Sequence, residues 1–400
     1  MARQRYAVFS EGVIGRLKLK NRLVRAATYE AAMTKDGRIT QKMLDLYQAL
    51  TQGGVGTIIT GQMAVALAGK GMPKQACVYD DRFIPEISQI AATVHQSGDG
   101  CKVIAQLNHA GRQVTHENTW AEAVAPSVVA SPVTRKQARR LSVEEIRSIV
   151  EAFAQAIVRV QQAGFDGVQL HAGHGWLLSS FLSPYTNRRD DEYGGTAANR
   201  VRIIAEIVAQ ARALVGDFPI LIKINCEDHV VGGTNRESFP EMASLIAATG
   251  VDAIEVSGGM WDCLVRPERE LGFVSVPIPE ARTNIVKPEK QSYFLKYVED
   301  LNLNIPVILV GGNRNIERLE QIVSGGAAAF IALARPLVNE PDLPRRWLEG
   351  SGSSNARCIS CNACLLSIKY GSLHCILNQS KPLQKIVHTA APLTWQLFLR

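Results

Sequence analysis

The chain contains no apolar run near the length of about 20 residues that a membrane span needs. Its start, Met1-Ala-Arg-Gln-Arg-Tyr6, is polar and lacks the apolar stretch of a secretory leader. These two absences predict a cytoplasmic location and no membrane partner. No segment is low in complexity, no repeat shorter than a strand-plus-helix unit recurs, and no dinucleotide fingerprint of the Gly-x-Gly-x-x-Gly type is present. Excess charge is small for 400 residues: Lys plus Arg is 44 and Asp plus Glu 37, a net +7. That balance suits a phosphate-bearing ligand and gives no reason to expect a nucleic-acid partner. Eight cysteines without an export signal argue against a disulfide framework, because cytosolic thiols are kept reduced.

What is abundant is apolar material, 46% of the chain. Short runs rich in β-branched residues recur at 22–28, 56–61, 102–107, 166–171, 219–225, 253–259, 305–312 and 328–335. Between them lie helix-period patterns, clearest in 143–163, where Ile146, Ile149, Val150, Phe153, Ile157 and Val160 share one face, and in 200–215. Ser142-x-x-Glu145 reads as a capping box ahead of the first of these helices, and the basic cluster Arg135, Lys136, Arg139 and Arg140 before it as a solvated face. Strand and helix alternating in eight units imply a closed (β/α)8 TIM barrel of class α/β rather than an open sheet. The Ser351-Gly-Ser-Ser-Asn355 stretch marks a linker, dividing a barrel over 1–350 from a C-terminal extension over 351–400.

In a barrel the chemistry sits where strands end, so the polar residues closing each run are the candidates. The fourth run ends in Leu170-His171-Ala-Gly-His174-Gly-Trp176, two imidazoles three residues apart. Two convergent neutral donors could hold and polarise a carbonyl or phenolate oxygen, and a metal pair is the competing reading. Gln106 in the third run and Lys223 in the fifth are expensive to bury alone and call for a polar partner, either a heterocycle or, for Lys223, a structural ion pair. Gly311-Gly312 after the seventh run and Ala334-Arg335 after the eighth lie where barrels of this kind bind phosphate.

On these residues the chain resembles the Old Yellow Enzyme family of reductases that use flavin mononucleotide (FMN), across roughly residues 6–348. The resemblance is carried by Leu19-Lys-Asn21-Arg22, by Gln106 with His109-Ala-Gly-Arg112, and by a long run from Ala163-Gly-Phe-Asp through His171 and His174. That run continues through Phe181-Leu-Ser-Pro184-Tyr-Thr-Asn187-Arg188-Arg189 to Asp191-Glu-Tyr193-Gly-Gly195 and Asn199-Arg200. It implies that Gln106, Lys223 and the backbone at Ala27, Thr28 and Gly61 contact the isoalloxazine. Ser257, Gly258, Gly311, Gly312, Ala334 and Arg335 would line the ribityl phosphate region. It further implies NADH or NADPH as reductant and an activated, α,β-unsaturated small molecule as substrate, oriented by His171 and His174. The family pattern has a tyrosine as proton source where this chain has Trp176, whose indole is no useful acid. Tyr29, Tyr185 or water would have to replace it.

Cys358-Ile-Ser-Cys361-Asn-Ala-Cys364 followed by Cys375 gives four thiols at a spacing that can enclose a [4Fe–4S] cluster or a tetrahedral zinc ion, the third reading being reduced thiols that hold nothing. The segment resembles that of the trimethylamine dehydrogenase and 2,4-dienoyl-CoA reductase group, which implies a cluster beside FMN and an electron-transfer partner. Three functions are therefore carried forward. The first is alkene reduction, the second an FMN dehydrogenase or demethylase passing electrons through a cluster, and the third a flavin-free metal-dependent hydrolase or isomerase. A homo-oligomer is compatible with each.

Overall fold

The computed structural model describes residues 6–97, 100–114, 122–276 and 278–378. Eight parallel strands close into a barrel: β1 (Leu23–Arg25), β2 (Thr57–Ala64), β3 (Lys102–Asn108), β4 (Gly167–Ala172), β5 (Ile220–Asn225), β6 (Ala253–Ser257), β7 (Val307–Leu309) and β8 (Phe330–Leu333). Neighbours in sequence are neighbours in the sheet, and the β1–β8 and β1–β2 pairings complete the ring. Each predicted apolar run overlaps one of these strands. An N-terminal hairpin, Gly12–Ile14 with Leu17–Leu19, buries Ile14, Leu17 and Leu19 against the barrel's bottom.

The two-residue period of a strand divides the barrel interior into layers. At the bottom Val24, Ile59, Ile104, Leu221, Ala253 and Ile308 form an apolar plug. Two residues further along, the same inward positions turn polar, to Gln106, Lys223 and Glu255, joined by Gln169 from β4. Two residues beyond those stand Asn108, His171, Asn225 and Ser257 at the mouth. The alternate, outward residues, such as Val168 and Leu170, belong instead to the large core beneath the helices.

The outer layer includes α1 (Gln41–Gln52), α2 (Ile84–Gln96), α3 (Val143–Gln162), α4 (Leu177–Leu182), α5 (Ala197–Val215), α6 (Phe239–Ala247) and α7 (Ile316–Ser324). Ser142 and Glu145 form the capping box at the start of α3. The nearby basic residues pair with carboxylates: Arg139 with Glu122 and Glu145, Arg140 with Asp190 and Asp191. Asp191 is also held by Arg189 at 2.5 Å, which fixes the Asp191–Gly195 turn as structure.

Strict alternation of strand and helix fails at one place. Between β6 and β7 the described chain makes only 3-10 turns and the four-residue helix Glu268–Leu271. Pro267, Pro279 and Pro288 interrupt any helical period there. The segment instead runs along the mouth, as does the extension, whose described part reaches residue 378. Leu373 N donates to Glu30 O (2.8 Å), Asn284 N to Ser360 O (3.2 Å) and Asn378 Nδ2 to Asn339 O (2.7 Å), so residues 358–378 pack on the barrel rather than standing apart.

Candidate active site

A cavity of about 330 Å³ opens at the C-terminal mouth of the barrel, large enough for a small-molecule cofactor site. Gln106 and Lys223 form part of its wall and are tied together beneath it. Gln106 Nε2 donates to Gln169 Oε1 (2.7 Å), and Gln169 Nε2 donates to Glu255 Oε2 (2.7 Å). Lys223 Nζ lies 2.9 Å from Glu255 Oε1. That last contact is an ion pair whose angles fall outside hydrogen-bond geometry, since Glu255 Oε1 has no hydrogen-bond partner. The ammonium therefore has both its counter-charge and N–H groups available to a ligand. Gln169 and Glu255, which complete this set, point inward from mid-strand; two-residue alternation along β4 and β6 is the signal that could have found them.

Above this floor the two histidines are bonded to each other. His171 Nε2 and His174 Nδ1 are 3.2 Å apart, and His174 Nε2 is 2.8 Å from Ser257 Oγ. His174 adopts a left-handed backbone (φ 63°), held by its amide donating to Asn225 Oδ1 at 3.0 Å. Burial, with Lys223 adding to it, holds both imidazoles well below the usual histidine range, so both are neutral near pH 7. The spacing suggested two donors converging on a ligand. The geometry is a relay instead, Ser257–His174–His171, and whichever way its protons run, His171 Nδ1 alone is left buried without a partner. A second unpartnered buried atom of the wall is Trp261 Nε1. Trp261 stands edge-on to Trp176 at 6.2 Å between ring centroids.

Glu280, from the loop after β6, also belongs to the wall, with Oε2 3.9 Å from His174 Nδ1. Its side chain is 35% exposed where it lines the cavity, and the burial of the remainder pushes its carboxyl above the usual carboxylate range. Tyr29 lines the wall too, its hydroxyl accepting from Lys74 N at 3.3 Å. Tyr185 does not.

On the β7–β8 side the wall becomes cationic. Gly311 and Gly312 both take positive φ, 106° and 77°, a conformation that any side chain would strain. Arg335 and Arg314 line the same stretch. Arg314 gives Nη1 to Ile285 O (3.2 Å) and Nη2 to Ala356 O (2.9 Å), while its buried Nε has no partner. Burial lowers the Arg314 guanidinium, and the positive charge of Arg335 acts in the same direction. An anion between them would relieve that cost. Arg314 was not singled out from the sequence, although it follows Gly311-Gly312-Asn313 directly.

The cysteine segment adjoins this region. Cys358 and Cys364 line the large cavity, and all four cysteines, Cys358, Cys361, Cys364 and Cys375, line a second, small one next to Arg335. Ser360 and Asn362 turn the loop around it in left-handed conformations (φ 57° and 62°), and Asn362 Oδ1 accepts from Arg335 Nη1. Burial pushes the Cys364 thiol up to about 12 and raises those of Cys361 and Cys375, so thiolates here would need a positive partner. Among the described residues no three His, Cys, Asp or Glu side chains are drawn together around a single-ion position.

Of the residues expected to contact FMN, the structure brings Ala27, Thr28, Gln106, Lys223, Ser257, Gly311, Gly312, Ala334 and Arg335 to one cavity, together with His171, His174, Trp176 and Tyr29. Gly61 and Gly258 stand off it. Gly61 sits in an irregularity of β2, where its amide donates to Glu30 Oε1 (2.9 Å), and Gln62 takes the place on the wall. Gly258 backs onto the Phe294 ring, where a Cβ would come within 2.7 Å.

A floor offering an acceptor and an ammonium, with a cationic, glycine-lined flank, fits a planar polar heterocycle carrying an anionic tail. Such a barrel is a flavin-type oxidoreductase scaffold. The chain belongs to the NADH:flavin oxidoreductase / NADH oxidase family, whose sequence model it matches over residues 8–352. It is 34% identical over 362 residues to an NADH oxidase of Thermoanaerobacter brockii, covering 89% of this chain and 52% of that protein. It thus spans about half the length of the first curated relatives it matches. Among solved structures, a 2-naphthoyl-CoA reductase bound to 2-naphthoyl-CoA superposes with a TM-score of 0.84 at 23% identity, covering 94% of this chain and 57% of that one. An Old Yellow Enzyme homologue from Zymomonas mobilis gives 0.71 at 22% identity, with 87% and 94% coverage. These likenesses corroborate the barrel fold. Separately, no helix among the described residues is long and apolar enough to cross a membrane.

Proposed function

We propose that this chain is an FMN-dependent oxidoreductase that uses NADH or NADPH to reduce an activated, α,β-unsaturated small molecule. The observation that carries the reading is the neutral Ser257–His174–His171 relay, whose His171 Nδ1 is buried without a partner, on residues that line one cavity with Gln106 and Lys223. FMN, when bound, would supply the hydride chemistry that links the nicotinamide to the acceptor.

Gln106 and Lys223 hold the polar edge of the heterocycle, and Arg314 and Arg335 with Gly311 and Gly312 hold its phosphate. With Ser257 Oγ–H donating to His174 Nε2 and His174 Nδ1–H to His171 Nε2, His171 would donate Nδ1–H to the acceptor's carbonyl oxygen and so stabilise the charge that grows there. Trp176 and Trp261 supply flat apolar surface against a conjugated substrate. The α-carbon needs a proton. Glu280, whose carboxyl burial raises above the usual carboxylate range and which stands next to His174, is the acid this reading favours, with Tyr29 and water as its competitors.

The second reading, electron relay to a partner protein, is favoured by one observation: Cys358 and Cys364 belong to both cavities. Four thiols around one small space suit a [4Fe–4S] cluster, which would lie beside the phosphate end of the flavin site. Iron and sulfide quantification on anaerobically purified protein separates a cluster from zinc or free thiols. For the main reading, the test is anaerobic addition of NADH and NADPH to the FMN-loaded protein, followed by an enone. Bleaching and then recovery of flavin colour support alkene reduction; no bleaching by either nucleotide favours the relay. A flavin-free hydrolase or isomerase would give a protein that takes up no FMN.

A further inference from the structure

The set of side chains beneath the cavity has a direction, and one residue imposes it. A carboxylate only accepts hydrogen bonds, whereas a carboxamide accepts at one end and donates at the other. Glu255, fully buried and ionised against Lys223, therefore obliges Gln169 to present Nε2 to it. Gln169 must then present Oε1 to Gln106, and Gln106 must answer with Nε2. The atom left at the end is Gln106 Oε1, an acceptor, on a residue that lines the cavity. The same carboxylate supplies a negative charge 2.9 Å from the Lys223 ammonium at the other side of the floor. Replace that carboxylate by an amide and both properties go: the two carboxamides can flip, and the ammonium is left uncompensated.

We propose that Glu255 is a positioning residue that sets the polarity and the charge of the surface on which the flavin ring rests. It does not line the cavity and acts through Gln169 and Gln106 on one side and Lys223 on the other. The floor it imposes is an acceptor at β3 and a cation at β5, matched to a ring edge that carries an N–H at one point and an electron-rich oxygen or nitrogen at another. Because Lys223 is nearer the cavity than Glu255, the pair as a whole presents a positive end to the ring, moderated by the carboxylate behind it.

This inference rests on FMN binding. The test is the flavin midpoint potential of the reconstituted wild-type protein, E255Q and E255D. E255Q leaves the ammonium without its counter-charge and so favours the more negatively charged, reduced flavin. At fixed potential the ratio of reduced to oxidised flavin is expected to rise at least tenfold, about 30 mV for a two-electron couple. E255D retains the charge and is expected to stay within about threefold of wild type, roughly 15 mV by the same conversion. A purely structural role would weaken binding in both variants without separating their potentials, and an unshifted E255Q overturns the proposal. Should E255Q fail to fold, Gln169→Leu carries the test. It severs Gln106 from Glu255 while sparing the ion pair, and is expected to weaken binding of both FMN and riboflavin at least tenfold with the potential unchanged. Unaltered flavin binding by Gln169→Leu overturns the polarity argument. A wild-type protein that binds no flavin refutes the functional reading itself, which is a different result from a flavoprotein indifferent to E255Q.

Discussion

Arg314 is the residue at which the flavin assignment can be tested in isolation from catalysis. Its two Nη atoms are engaged by the carbonyls of Ile285 and Ala356, its buried Nε is unpartnered, and the residue lines the cavity with Gly311, Gly312 and Arg335. A phosphate arriving there gains one charge-assisted hydrogen bond from Nε, worth about 2 kcal/mol within a range of roughly 1.5–3. Arg314→Met should therefore raise the dissociation constant for FMN about 30-fold, at about 1.4 kcal/mol per tenfold. The assay is flavin fluorescence quenching, run in parallel with FMN and with riboflavin, which has the same ring and no phosphate. Loss of the carbonyl contacts could loosen the loop, but that would weaken both ligands equally. The expected result is a change of about 30-fold for FMN and less than about threefold for riboflavin. Equal weakening of both, or of neither, refutes the phosphate clamp.

His171→Ala removes the one unpartnered ring nitrogen of the relay and is expected to lower kcat for enone reduction by about 10²–10³. It should also abolish the charge-transfer band that a phenol gives on binding over oxidised flavin; retention of that band would place the oxygen elsewhere. Glu280→Gln keeps the shape and removes the ionisable carboxyl, so flavin reduction by nicotinamide should be unchanged. Reoxidation by enone should slow by about 10²–10⁴, and an unaffected reoxidation rate would leave Tyr29 or water as the donor. Burial holds His109 at about 4 against an ordinary 6.5, and Gly111 N donates to its Nδ1 at 3.1 Å, so the folded state keeps it neutral. The stability this gives is fully present above pH 6.5 and lost as pH falls toward about 4, by about 3 kcal/mol at ~1.4 kcal/mol per pH unit. Urea denaturation at pH 7 and 4.5 should show the loss, and His109→Gln should flatten it.

The barrel was legible because each strand is buried on both faces and so reads as an apolar, β-branched run. Its polar strand ends were legible for the complementary reason: Gln106, His171, Lys223 and Arg335 interrupt or close such runs, where burial without a partner is costly. The spacing of residues told less about which atoms meet. Lys223 invited either a heterocycle or an ion pair, and it has the ion pair, with Glu255, while still bordering the cavity. Gly61 adjoins a wall residue in sequence but faces Glu30, because a local irregularity in β2 sets which neighbour points inward. Glu280 and Trp261 come from the proline-interrupted stretch between β6 and β7, whose path over the mouth has no periodicity to betray it. The composition at 351–355 suggested a linker, whereas the return of the cysteine segment onto the barrel depends on isolated bonds such as Leu373 N to Glu30 O.

The measurement that bears most directly on the central claim is the visible absorption spectrum of the FMN-reconstituted, desalted protein, followed during anaerobic titration with NADH and then NADPH. Retention of about one flavin per chain and its bleaching by one of the nucleotides are expected from the site described. A protein that emerges colourless from the desalting column would contradict it.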